Sequence, residues 1–181
     1  MRIVSGKLKG RRFSPPASFR ARPTTDTAKE NLFNILSNMV DFEDLEVLDL
    51  FSGTGSLSYE FASRGCASVT SVEKDFHHYT FIKKCIQELG LSQIIKPVKA
   101  DVFTFLKKAP AHGYNLIFAD PPFDLVSLEN IPNNVLESKL LRPGGLFILE
   151  HGPGHDFSNH PAFNQTRNYG KVRFSFFNPL Q

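Results

Sequence analysis

The sequence has no tryptophan, two cysteines and no long apolar run among its 181 residues. Without an apolar run of about 20 residues there is no candidate for a membrane-spanning helix. The basic start MRIVSGKLKGRRF also lacks the apolar segment of a signal peptide. Cys66 and Cys85 have neither a metal-binding nor a redox spacing, so we expect two reduced thiols. These absences favour a cytoplasmic protein that needs no metal.

Acidic residues are missing from the first 22 positions, and this segment is strongly basic. It carries seven basic residues, Arg2, Lys7, Lys9, Arg11, Arg12, Arg20 and Arg22. The rest of the chain holds 14 Lys and Arg against 18 Asp and Glu. A basic arm on a mildly acidic body indicates a polyanionic partner such as nucleic acid, although a solvated tail has the same composition.

The length fits a single domain, in which 1–25 form a basic hairpin and loop and 26–181 form the core. Thr27 and Glu30 have capping-box spacing and predict a first helix from about Asp26. Five apolar strand-like runs follow: VLDLF, SVTSVE, IIKPV, YNLIFA and GLFILEH. They alternate with helical patterns at 56–64, 76–89, 102–108 and 128–140.

This alternation predicts an α/β fold with a mostly parallel, doubly wound sheet that has helices on both faces. The final segment QTRNYGKVRFSFF differs, because two β-rich runs flank a Tyr-Gly-Lys turn without an intervening helix. We expect it to add an antiparallel hairpin to the sheet. In such folds, ligands bind outside the carboxyl ends of the strands.

The first strand runs into a glycine turn, DLFSGTGS, before the second predicted helix. Gly53 and Gly55 allow a sharp bend and a close ligand approach, and a helix start offers free amide hydrogens. A tight turn without a ligand has the same pattern. Ser58 occupies the third position of the dinucleotide fingerprint, which disfavours a nicotinamide oxidoreductase.

Acids follow at three further strand ends. Glu73 lies 20 positions after Gly53, a distance that suits hydrogen bonds to ribose hydroxyls. Asp101 is placed to accept a hydrogen bond from an adenine amine, to cap the next helix, or to do both. In ADPPF, two prolines end the strand abruptly and hold Asp120 and Phe123 on a stiff turn. An acceptor beside a ring suits a planar base that carries an amino group.

These motifs, in this order, resemble the Rossmann-like S-adenosylmethionine-dependent methyltransferases, with a seven-stranded sheet. DPPF resembles the [DN]PP[FYW] motif of enzymes that methylate exocyclic or amide nitrogens. The amino-terminal RIVSGKLKGRRF and RPTTDTAKENLFNIL resemble the bacterial small-subunit rRNA guanine-N2 methyltransferases, as do EFASRGC, LRPGGLFILEH and NYGKVRFSFF. The resemblance implies methylation of N2 of one guanine in 16S rRNA, within the small subunit or an assembly intermediate. Ser52 and Ser58 depart from it, because Ala and Gly are common there.

The resemblance also implies roles for individual residues. The implied cofactor-binding residues for S-adenosylmethionine are Asp49, Ser52, Gly53, Gly55, Glu73, Lys74, Asp101, Val102 and Asp120. The implied catalytic residues are Asp120, Pro121 and Phe123, with the guanine stacked on Phe123. The implied phosphate-binding residues are Arg11, Arg12, Arg20 and Arg22, and Thr24 and Thr25 would line the cofactor mouth.

Other functions fit the same residues. The same chemistry on DNA adenine or on a protein glutamine uses the same tetrapeptide, although a chain of 181 residues leaves little room for a separate DNA-recognition domain. An RNA-binding module that has lost turnover is a second class. The histidines of HGPGH, His151 and His155, are not expected to bind metal, because a Gly/Pro loop is a poor frame for ligands.

Overall fold

The computed structural model describes residues 1–17, 19, 25–111 and 113–178, and seven strands in these ranges form one sheet. The strands are β1 Glu46–Leu50, β2 Ser68–Glu73, β3 Ile95–Lys99, β4 Tyr114–Ala119, β5 Leu141–His151, β6 Phe163–Tyr169 and β7 Val172–Phe177. The helices are α1 Asp26–Leu36, α2 Ser56–Ser63, α3 Phe76–Glu88, α4 Val102–Lys108 and α5 Ile131–Glu137. None of the helices in these ranges is long and apolar enough to cross a membrane.

The strand order is β3-β2-β1-β4-β5-β7-β6. The first five strands are parallel, and β7 pairs antiparallel with both β5 and β6. The predicted parallel sheet with an antiparallel terminal hairpin is therefore confirmed. The order reverses between β1 and β4, so the carboxyl ends of these two strands flank the switch point where α/β sheets bind ligands.

Buried apolar residues form two clusters, one on each face of the sheet. Alternation along β1 sends Val47 into the cluster that contains α1, α2 and α3, while Leu48 and Leu50 enter the cluster that contains α4 and α5. Asp49, two residues after Val47, points to the α2 side. By the same alternation Glu73, Asp120 and Glu150 face that side as well, because Val69, Phe118 and Ile148 lie in its cluster.

Two local expectations were wrong. Thr25, not Thr27, caps α1, since its side chain accepts the Ala28 N–H at 3.1 Å. The predicted helix over 128–140 is shorter, with a 3₁₀ turn at Leu128–Asn130 followed by α5, and β5 already begins at Leu141. Both differences lie at element ends, where sequence patterns are least informative.

The amino-terminal segment folds back on itself and lies along α2. Arg2 and Arg12 form an antiparallel bridge, which confirms the expected hairpin in a short form. The buried Glu60 carboxylate accepts the Val4 and Ser5 N–H groups at 2.9 and 3.0 Å. Gly6 has φ +80°, and a β-carbon there would lie 2.0 Å from the carbonyl oxygen of the α2 residue Ser63. The hairpin therefore sits on the core through a close backbone approach.

Candidate functional site

The turn after β1 has the geometry of a ligand cradle. Gly53 and Gly55 have φ +55° and +77°, and Phe51 has φ +59°, a left-handed conformation that is costly for a residue with a side chain. The Ser56 hydroxyl at the start of α2 is buried and has no hydrogen-bond partner within the described residues. A strained turn with an unpartnered polar atom at a helix start fits a bound group better than a purely structural turn.

Asp49 lies beneath this turn and is 2% exposed. Its carboxylate accepts a hydrogen bond from the buried Ser58 hydroxyl, and its carbonyl accepts one from the Ser52 hydroxyl at 2.8 Å. Burial raises the pKa of Asp49 to about 7, and the Ser58 hydrogen bond opposes that rise. Ser58 thus replaces the third glycine of the fingerprint with a side chain that holds Asp49.

Glu73 connects the glycine turn to the end of β2. Its two carboxylate oxygens accept the Gly53 N–H and the Asp75 N–H, each at 2.8 Å. A carboxylate offers about four acceptor positions, so two remain beyond these contacts with described residues and suit the hydroxyls of a ligand. The adjacent Lys74 side chain is exposed. The structure thus brings Glu73, Lys74 and the glycine turn together, as the sequence predicts.

Asp101 caps α4 by accepting the Thr104 N–H at 3.0 Å, which confirms one of its two predicted roles. The carboxylate is exposed, and its role toward an adenine stays a prediction. The Val102 side chain is 3% exposed. Only the backbone amide of Val102, at the first turn of α4, is therefore suited to meet a ligand.

The DPPF turn is fixed to the sheet. The Asp120 N–H donates to the Leu50 carbonyl at 3.3 Å and extends the pairing of β4 with β1 by one residue. Pro121 is buried, and Phe123 is 38% exposed. A β-carbon built on Gly152 would lie 3.2 Å from the Phe123 ring, so this glycine leaves room for the ring beside the end of β5. Sequence reasoning did not identify Gly152.

Glu150 is a further acid that sequence reasoning left without a role. It follows Leu149, which pairs with Ala119, so Glu150 lies beside Asp120 across the β4–β5 pair. The residue is 4% exposed, and its Oε2 has no partner within the described part of the chain. Burial, and secondly the Asp120 charge, raise the pKa of Glu150 to about 9. The available signal was an acid at the penultimate position of a mostly apolar strand.

Of the predicted phosphate-binding arginines, the structure describes Arg11 and Arg12, and these two contact different parts of the protein. Arg12 pairs with Arg2 near the start of α1, where Arg2 contacts Asp26 at 2.8 Å. Arg11 instead donates to the Glu88 carbonyl at the end of α3, at 3.4 Å. Because α3 starts at the site edge and its 13 residues span about 20 Å, Arg11 lies toward the opposite edge. Arg20, Arg22 and Thr24 lie outside the described residues.

In the HGPGH segment, His151 is held by hydrogen bonds inside the protein. His151 is 1% exposed and is held between the Gly152 carbonyl and the Ser175 hydroxyl, each at 2.8 Å. A carbonyl only accepts, so Nδ1 carries the proton and Nε2 accepts from Ser175. Burial lowers the pKa of His151. Across the residues that the structure describes, no three His, Cys, Asp or Glu side chains group as metal ligands.

Comparison with known proteins gives consistent matches. The family model described as conserved hypothetical protein 95 matches residues 1–178. The chain is 33% identical over 163 residues to ribosomal RNA small subunit methyltransferase D of Escherichia coli, covering 90% of this chain and 80% of that protein.

Two solved structures extend the comparison to the fold. A hypothetical protein of Thermus thermophilus superposes with a TM-score of 0.84 at 28% identity, covering 98% of this chain and 99% of that one. A 16S rRNA N2 guanine methyltransferase of the same species, solved with AdoMet and guanosine, gives a TM-score of 0.70 at 23% identity, covering 89% and 45%. At that identity the second match bears on the fold alone.

Proposed function

The chain belongs to the family described as conserved hypothetical protein 95, and from this premise we propose that it is an S-adenosylmethionine-dependent methyltransferase of ribosomal RNA. Its substrate is the exocyclic N2 of one guanine in 16S rRNA. The observation that carries the proposal is the DPPF turn, which holds Asp120 beside the half-exposed Phe123 ring at the switch point of the sheet. The small-subunit relative supports the choice of RNA.

The residues at the glycine turn fit the cofactor. Gly53 and Gly55 shape the cradle, Asp49 lies beneath it, and the Ser56 hydroxyl is buried without a partner in the described ranges. Glu73 retains acceptor positions for the ribose hydroxyls. S-adenosylmethionine supplies a methyl group on a positively charged sulfur, which is already activated for transfer.

The cofactor site extends to the carboxyl end of β3, where α4 begins. Asp101 and the Val102 amide would read the adenine, and the adjacent Ser52 and Lys74 would border the cofactor. Asp101 is suited to this because its carboxylate is exposed while it caps α4.

The substrate half of the site orients the base. We assign Phe123 as the stacking platform, because its ring is exposed and is backed by Gly152. The Asp120 carboxylate and the Pro121 carbonyl accept the two hydrogens of N2. A base in a duplex does not reach this turn, so the guanine is flipped out of its stack.

Asp120 and Pro121 act on the lone pair of the guanine nitrogen. That lone pair is delocalised into the ring and is a poor nucleophile. Two acceptors outside the ring plane favour a pyramidal nitrogen and release the lone pair for attack on the methyl carbon. A new C–N bond would form as the bond between the methyl carbon and the cofactor sulfur breaks, with the sulfur keeping the bonding electron pair and becoming neutral. The positive charge would then lie on the amine, where the Asp120 carboxylate stabilises it. The amine then loses its proton to solvent, so a strong base is unnecessary.

Basic residues outside the pocket hold the RNA backbone. Arg12 precedes Phe13, which pairs with Met1, and Met1 contacts Thr54 of the glycine turn. Arg20 and Arg22 follow in the same basic arm, whereas Arg11 would meet phosphates farther away. Such contacts set affinity and position without reading sequence. We assign the reaction to the cytoplasm, on the small subunit or an assembly intermediate, carried out by residues 1–181 as one domain.

The test is methyl transfer from labelled S-adenosylmethionine to small ribosomal subunits that lack the modification. Naked 16S rRNA, DNA and total protein serve as parallel substrates, and mass spectrometry identifies the product nucleoside. We expect label in N2-methylguanosine of 16S rRNA, at a single position. The comparison of subunits with naked rRNA then identifies the assembly stage.

Other outcomes are equally informative. Label in DNA adenine or protein glutamine would retain the methyltransferase and overturn the substrate. Measurable cofactor binding with no label in any substrate would support an RNA-binding module without turnover. Absence of cofactor binding would overturn the proposal altogether.

A further inference from the structure

Glu150 is a buried acid that the proposed mechanism does not use. It lies at the carboxyl end of β5, on the sheet face that also carries Asp120. Its side chain is 4% exposed, and across the described ranges its Oε2 has no hydrogen-bond partner. An ionised carboxylate with an unsatisfied buried oxygen is strongly unfavourable. The surroundings therefore favour the neutral acid.

The neighbours of Glu150 point to one interaction partner. On one side β7 presents the buried Phe174 directly opposite Glu150. Arg173 pairs with His151 instead, and His151 faces the other side of the sheet. On the other side lies Asp120, the one charged group in the described residues that shifts the pKa of Glu150. Neighbouring strands are about 4.8 Å apart, so two carboxyl groups at the same level of one face are within reach of each other.

We propose that Glu150 is a positioning residue for Asp120: a neutral carboxylic acid that donates its hydrogen to the Asp120 carboxylate. The pair then holds one proton and one negative charge between two carboxyl groups. Two ionised carboxylates at this distance would repel each other strongly. The inference rests on the proposed function, because it assumes that Asp120 acts on the substrate amine.

This arrangement has a consequence for catalysis. One Asp120 oxygen accepts the Glu150 O–H, and this bond holds the carboxylate in the orientation in which it meets the substrate amine. The single negative charge also stays at Asp120, where positive charge develops on the nitrogen. No proton leaves Glu150 during transfer, and the amine proton still passes to solvent.

Three variants test the donor role. Glu150→Gln keeps the shape and an N–H donor, so we expect kcat within about threefold of the parent enzyme. Glu150→Leu removes the donor, and we expect kcat to fall at least tenfold while the Kd for S-adenosylmethionine and the KM for the subunit stay within twofold. A Glu150→Gln enzyme as impaired as Glu150→Leu would overturn the proposal. Such a result would mean that an N–H donor at position 150 does not help, and that the site needs an ionised carboxylate there.

The pair must also act as a unit. In an Asp120→Ala background, Glu150→Leu should reduce kcat by less than twofold, because the group that it positions is gone. A full tenfold loss in both backgrounds would show that Glu150 acts independently of Asp120 or merely supports the fold.

The pH dependence of kcat distinguishes the donor role from a purely structural role of Glu150. Above a pH of about 9 Glu150 ionises, and the donor is lost. The ratio of kcat in the parent enzyme to kcat in Glu150→Gln should therefore fall through this region. Ionisation of guanine affects both enzymes and cancels in the ratio. A ratio that is flat from pH 7 to 10 contradicts the proposal.

A stability measurement separates this inference from the function. The folded-state pKa of Glu150 is raised above its unfolded value, so the stability that the proton gives is present at low pH and is lost as pH rises toward about 9. The Tm of the parent protein should fall relative to Glu150→Gln between pH 5 and 9. This trend with no methyl transfer to any substrate would retain the buried acid and reject the function. A constant Tm difference would reject the buried acid.

Discussion

The two halves of the site differ in how far the protein itself satisfies their polar groups. On the β1–β2 side, Glu73 accepts two backbone N–H groups and Asp49 accepts the Ser58 hydroxyl. On the β4–β5 side, Glu150 has an unpartnered oxygen within the described residues, and the Phe123 ring is 38% exposed. The carboxylates of the first half are therefore held in place by the protein, whereas the second half presents an open ring to what binds there.

This difference matches the two tasks of a methyltransferase. A cofactor that is bound on every cycle gains affinity from a site that is already ordered, because little conformational entropy is lost on binding. The acceptor half must instead discriminate a reacting nitrogen, so its polar groups are best satisfied in the transition state. Substitutions in the two halves should therefore separate cofactor affinity from turnover.

The largest effect is expected at Asp120. Asp120→Ala removes the carboxylate that stabilises the developing charge, and we expect a loss of about 2–4 kcal/mol in transition-state stabilisation. The kcat for methylation of small subunits measures this loss, and the Kd for S-adenosylmethionine should change little. Turnover close to that of the parent enzyme would show that this carboxylate does not take part in the chemistry.

Gly55→Ala should disturb the other half. A β-carbon there would lie 2.5 Å from the Tyr59 hydroxyl, in a backbone conformation with φ +77°. We expect about 1–3 kcal/mol of lost unfolding free energy together with weaker cofactor binding. Thermal unfolding and cofactor titration measure both. Gly154→Ala is the matched control, because nothing lies within 4 Å of its β-carbon. Equal behaviour of the two variants would contradict the cradle geometry.

Phe123→Leu should reduce catalysis without affecting the cofactor. Leucine keeps apolar contact but loses the flat face. We therefore expect a loss of about 1 kcal/mol of stacking free energy, the lower end of the range for one base. The kcat/KM for the subunit reports it. Val126→Ala in the same loop, where Val126 is 99% exposed, serves as the control. A similar loss in both variants would place the effect in the loop and not in the ring.

The smallest effects belong to the basic arm. Arg12→Gln should lower the slope of log affinity against log salt by about one, as expected for one phosphate contact. Arg11→Gln should change the slope less, because Arg11 contacts the end of α3 far from the site. Lys107→Gln, at the exposed end of α4, should leave the slope unchanged. Equal slopes for Arg11→Gln and Arg12→Gln would mean that the RNA covers both edges.

Sequence patterns predicted the sheet well because its apolar strands and glycine turn are local signals, and the family resemblance is confirmed.

Contacts between separate parts of the chain could not be predicted from the sequence in the same way. Thr25 and Thr27 offer the same side-chain oxygen, and only the backbone conformation decides that Thr25 caps α1. The contact of Ser58 with Asp49 and the proximity of Gly152 to Phe123 join separate elements, which no spacing rule reveals. Glu150 did leave a signal, since it is an acid one residue before the end of an apolar strand.

The position of β7 has a consequence for synthesis of the chain on the ribosome. This strand lies between β5 and β6, yet it is the last of the seven to be made. Until Phe177 has emerged, β5 presents an unpaired edge that carries Phe147, Ile148 and Leu149, and β6 has no neighbour to join. An open apolar edge promotes aggregation. The nascent protein therefore completes its sheet in one late step, and a chain cut before residue 172 should precipitate instead of folding.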